Sequence, residues 1–71
     1  MKILWRAQVE NHSDGIERLE IGEADGGFYL FQFDAPDGPA KWDTFYQTLE
    51  DVFEDGLDFG VPREGWRSVE T

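Results

Sequence analysis

The run Phe28-Tyr29-Leu30-Phe31-Gln32-Phe33 constrains the fold more than any other segment. It is built almost wholly of β-formers, carries no charge and is apolar on both faces. Such a strand belongs inside a sheet, between two neighbours, because an exposed copy would recruit other chains edge to edge. Gly27 and Asp34 stop it at either end. The rest of the chain must therefore supply flanking strands and something to cover the sheet. With 71 residues it can do so once, as a single domain over residues 1–71.

The flanking strands are legible from their period of two. Residues 2–10 place Ile3, Trp5, Ala7 and Val9 on one side and Leu4, Arg6, Gln8 and Glu10 on the other, the pattern of a half-buried strand. Residues 16–22 read as a second strand, with Leu19 and Ile21 sharing a face. Ala24-Asp25-Gly26-Gly27 marks a tight hairpin, since Asp-Gly accepts the positive φ such turns require. Residues 34–39 hold two prolines and a glycine and form a loop. Two readings exist for residues 41–47: a helix capped by Asp43, or a fourth strand alternating Trp42, Thr44 and Tyr46 against Asp43, Phe45 and Gln47. The aromatic and β-branched content favours the strand.

A better helix start follows at Thr48, which can cap a first turn holding Glu50 and Asp51. From Leu49 to about residue 59, Leu49, Val52, Phe53, Gly56, Leu57 and Gly60 form one continuous apolar stripe. Gly60-Val61-Pro62 ends it. Trp66 and Val69 can then dock as a short fifth strand or an ordered tail. The expected fold is α+β: an antiparallel β-meander of about four strands with one α-helix packed on one face. Phe31 is expected to be core, so that Phe31→Ala should unfold the domain.

Several of these segments together resemble a group of small uncharacterised bacterial proteins. The resemblance rests on the Tyr29-Leu30-Phe31 strand before Asp34, on Asp43-Thr44 followed by Thr48-Leu49-Glu50-Asp51, and on Phe59-Gly60-Val61 with Trp66. It spans roughly residues 27–66 and implies a shared fold, with no activity to carry over.

Charge decides which function classes remain. Sixteen acidic against six basic residues leave a net charge of −10. Nucleic acid and anionic membranes both require a positive footprint, so neither is an expected partner. A basic protein is. Eleven aromatic residues separate the chain from disordered acidic tails. The absence of cysteine excludes disulfides, thiolate zinc sites and thiol nucleophiles. No transmembrane run or signal peptide is visible, which points to the cytoplasm and makes the Asn11-His12-Ser13 sequon incidental.

No constellation suggests catalysis. His12, Ser13 and Asp14 are consecutive in a polar turn and cannot converge as a triad must. The window over residues 34–45 lacks the calcium ligands an EF-hand needs at its third and twelfth positions. One histidine does not make a zinc site. No phosphate-binding loop occurs, and with so many carboxylates a chance pair carries no weight. No catalytic residue, cofactor or metal is therefore assigned, and the chain is read as a non-enzyme.

Two surfaces stand out. Glu50, Asp51, Glu54, Asp55 and Asp58 occupy every polar position of the helix from residue 50 onward. Their like-charge neighbours at three and four residues cost on the order of 1–2 kcal/mol in total. Either Arg63 and Arg67 fold back to neutralise this face and it serves solubility, or it is a docking face for a basic partner. The second surface is the far side of the sheet. One short helix covers one face, yet several strands are apolar on both. The Trp66 tail and the loop over residues 34–39 can cover the remainder; otherwise an apolar patch stays open, and a homodimer through sheet faces is its simplest use. The resulting expectation is a non-catalytic small acidic protein-interaction module. The alternative is an immunity- or inhibitor-like protein that neutralises a basic partner by charge mimicry.

Overall fold

Asp25 and Gly26 both take positive φ, 58° and 79°, as a type I′ turn requires. They close β2 (Arg18–Ala24) onto β3 (Gly27–Phe33), so the Asp-Gly signal marks the hairpin it was expected to mark. The computed structural model describes residues 1–10 and 15–69. Within them β1 (Lys2–Gln8), β2, β3 and β4 (Trp42–Tyr46) form an antiparallel meander. A short β5 (Arg67–Ser68) adds to the free edge of β1, giving the sheet order β4-β3-β2-β1-β5. The uncharged β3 lies between β2 and β4, as its composition demands.

The second strand begins two residues later than the sequence suggests. Glu17 N–H donates to Phe33 O and Val9 N–H to Glu17 O, so the chain is already bonded to its neighbours before the regular ladder starts. Ile16 is nonetheless buried there. The ambiguous stretch is a strand, Trp42–Tyr46, as preferred. His12, Ser13, Asp14 and the Asn11 sequon lie outside the described residues.

The helix α1 (Leu49–Asp58) crosses one face of the sheet. Thr48 is extended and its hydroxyl accepts from Asp51 N–H at 3.2 Å, which satisfies one donor of the first turn. At the other end Val61 N–H bonds Gly56 O and Gly60 N–H bonds Leu57 O, each at 2.9 Å. With Gly60 at φ 84° this is a Schellman stop, and Val61 follows it into the core at 2% exposure.

Leu19, Ile21, Leu30 and Val52 are fully buried between sheet and helix. Trp5, Phe28, Tyr46, Leu49, Phe53 and Trp66 pack around them. Phe53 sits edge-on to both Trp5 and Trp66, with ring centroids 5.6 Å and 5.9 Å apart. Trp66 therefore docks beside the helix, on the face the helix already covers, and does not cover the far face. Leu57 also departs from the expected stripe: it is 55% exposed. One residue turns a helix by about 100°, and contact with the sheet is centred on Val52 and Gly56, so Leu57 is carried round to the side.

Candidate functional site

The five acidic residues of α1 share its outward side, but the structure separates them into two groups. Glu50 is ion-paired with Arg63, whose guanidinium also lies over the Phe53 ring, 4.6 Å from its centroid. Asp55 accepts a hydrogen bond from the Tyr46 hydroxyl, which ties the helix to β4. Burial and that bond to Asp55, with the nearby charges of Asp55, Asp51 and Asp58, push the tyrosine up to about 12. Asp51, Glu54 and Asp58 have no basic partner among the described residues. Asp58 stands in the last turn, where no basic residue offsets it and where the negative end of the helix dipole opposes it.

Asp51, Glu54, Asp55 and Asp58 line a shallow depression together with Tyr46 and Leu57. The depression thus combines an exposed leucine with a rim of carboxylates that no described cation neutralises. The sequence identified these carboxylates. It missed the separation between Glu50, Asp55 and the remaining three, because Arg63 and Tyr46 reach them only through the tertiary fold. It also missed Leu57, which helical periodicity had assigned to the core. Of the two arginines expected to fold back, Arg63 does so. Arg67 points to the other side of the sheet, beside Arg6.

That other side is the second candidate. Register places Tyr29, Phe31 and Phe33 of β3 and Phe45 of β4 on the face away from α1. Tyr29 stacks on Phe31 with ring centroids 6.0 Å apart and meets Phe45 edge-on at 5.0 Å. Two glycines let these rings lie flat. A Cβ on Gly22 would be 2.7 Å from Met1 Sδ and 3.1 Å from the Phe31 ring, and one on Gly27 would run into that of Phe45. The loop over residues 34–39 covers only one end, where Arg18 donates to Pro36 O and lies 3.9 Å from the Phe33 ring centroid. Phe33 is buried there, while Phe45 remains 42% exposed.

The same face carries an ion cluster. Glu20, 8% exposed, accepts from Arg6 Nε at 2.8 Å and stands 3.6 Å from Arg18 Nε. Among the described residues no group of three or more histidines or carboxylates converges to hold a metal ion. No described helix is long and apolar enough to cross a membrane. Comparison with protein-family models, with curated proteins and with solved structures found no match.

Proposed function

We propose that this chain is a non-catalytic, acidic protein-interaction module whose α1 face receives a basic protein. The observation that supports it is the set Asp51, Glu54 and Asp58, left without a cation among the described residues around the exposed side chain of Leu57. A purely solubilising face needs charge but no apolar centre. The clustering costs helix stability, and a basic partner would recover that cost by supplying the opposite charge. Attraction of this kind accelerates encounter and is weakened by salt. The Leu57 side chain would add contact area that salt does not screen.

The test is affinity capture on the immobilised protein at two salt concentrations. The wild type is compared with an Asp51→Asn, Glu54→Gln, Asp58→Asn triple variant and with Leu57→Ser, each checked for folding by circular dichroism. A basic protein retained at low salt, released at high salt and lost from both variants is the expected result. Equal retention by the triple variant would rule the acidic face out. If the captured protein is an enzyme, its inhibition on binding would identify charge mimicry as the mode of action.

A further inference from the structure

The uncovered sheet face has an order that the helix face lacks. Register aligns Asp43, Phe31, Glu20, Arg6 and Arg67 in one row across all five strands, from β4 to β5. The row runs from an acid, through an aromatic ring, to two arginines. Glu20 stands at its centre, on the middle strand, with Arg6 and Arg18 already at its carboxylate. Three of the six basic residues of the chain, Arg6, Arg18 and Arg67, lie on this face, against Glu20 and Asp43 and, at the hairpin end, Asp25, which accepts from the Tyr29 hydroxyl, so the face is close to charge balance. In a chain of net charge −10 this is a surface on which like copies can meet.

From this arrangement we infer that the face is closed by a second copy of the chain, related by a two-fold axis that runs along β2. Such an axis reverses the row upon itself. Asp43 of one copy then opposes Arg67 of the partner copy. Phe31 meets the partner's Arg6, a guanidinium over an aromatic ring. Glu20 lies near the axis, neutralised within its own copy. The alternative two-fold, perpendicular to the strands, would set Asp43 near Asp43 and Arg67 near Arg67, and charge disfavours it. Aligned sheets cross at about 30°, which displaces the ends of the row by roughly 5 Å, within the reach of an arginine side chain.

The flatness of the face fits a sheet as occupant. Phe31 lies beside Gly22 and Phe45 over Gly27, so both rings rest against glycine backbone, and the exposed Met1 side chain, which also overlies Gly22, adds a flexible apolar group at the middle strand. The 28 strand residues, at about 3.3 Å each on strands about 4.8 Å apart, offer roughly 450 Å² per copy, or about 900 Å² for the pair. That is the lower end of specific interfaces, so the dimer dissociates on dilution. The unpaired acids of α1 lie on the opposite side of each sheet, more than 10 Å from the interface, and physiological salt, with a Debye length of about 8 Å, screens them across it.

Sedimentation velocity across a range of protein concentrations tests this. The wild type should shift from monomer to dimer with rising concentration, and Phe45→Glu should stay monomeric while keeping its circular dichroism spectrum. Asp43→Arg and Arg67→Asp should each raise the dissociation constant by about tenfold, and the double variant should recover most of the loss. A wild type that stays monomeric at every concentration, whether or not another macromolecule binds the face, overturns the inference. So does a dimer indifferent to Phe45→Glu. A dimer weakened by Phe45→Glu but without charge-swap recovery overturns the stated axis.

Discussion

Gly56 lies against the indole of Trp66, so close that a Cβ at position 56 would stand 2.9 Å from Trp66 Cζ2. In an exposed helix interior, Gly→Ala would stabilise by about 1 kcal/mol. Here the added methyl meets a rigid ring held by Phe53, and overpacking costs typically 1–3 kcal/mol. Gly56→Ala should therefore destabilise the domain by about 1 kcal/mol net, read as a lower urea midpoint. A rise in the midpoint would show that Trp66 is free to move.

The acidic helix face predicts opposite outcomes for adjacent residues. Glu54→Lys with Asp58→Lys removes like-charge neighbours and puts a cation at the end of α1 that favours one. Summed over pairs and dipole, the gain is about 1 kcal/mol, or roughly 4–8 °C in Tm. Asp55→Lys relieves similar repulsion but removes the acceptor of the Tyr46 hydroxyl, and should lower Tm. Thermal scans of the two variants at low ionic strength separate these effects.

Tyr46 gives the domain an alkaline limit. Its pKa lies near 12 in the folded protein, against about 10 when unfolded. Below pH 10 both states are protonated and the contribution is constant. Between 10 and 12 the unfolded chain loses the proton while the folded chain keeps it, so stability falls as pH rises through that window. Tyr29, raised chiefly by its hydrogen bond to Asp25, adds a smaller effect of the same sign. Tyr46→Phe should flatten the decline of Tm over this range without abolishing it.

How much of this was legible follows from the length scale of each signal. The hairpin, the Thr48 cap and the Gly60 stop are local, each written within a few residues, and each stands where expected. The interior place of β3 is a topological consequence of its lack of charge. What failed was the reach of periodicity. The stripe that includes Leu57 assumes a helix face wider than the contact that Gly56 and Trp66 leave. Trp66 could be identified as a docking residue, but the face it docks on depends on the register of β5 against β1. The same holds for the row from Asp43 to Arg67, which no single strand reveals.

Phe31 illustrates the consequence. The sequence places it in the core, and its truncation was expected to unfold the domain. It lies half-buried on the face away from α1, while Leu30 beside it is fully buried. Leu30→Ala should cost about 2–5 kcal/mol, enough to unfold a domain this small. Phe31→Ala removes partly exposed area and should cost no more than about 2 kcal/mol, leaving a folded protein with a lowered Tm. Circular dichroism of the two variants at 25 °C distinguishes them.

Glu20 is the one buried carboxylate among the described residues, and its removal should be felt through Arg18. The Arg18 side chain is only 17% exposed, and its Nε has no hydrogen-bond partner; the Glu20 carboxylate, 3.6 Å away, meets it as a counter-ion only. Glu20→Ala would leave that charge largely out of water with no counter-ion, at a cost of about 2–3 kcal/mol. Arg6→Ala removes a half-exposed partner and should cost less than about 1 kcal/mol. Replacing Glu20 and Arg18 together by leucine removes both charges and should recover stability relative to Glu20→Ala, since an apolar pair tolerates this depth better than an unpaired guanidinium. A double-mutant cycle on urea midpoints measures the coupling between Glu20 and Arg18. A value near zero would mean that Arg18 is held by the Phe33 ring and the Pro36 carbonyl alone.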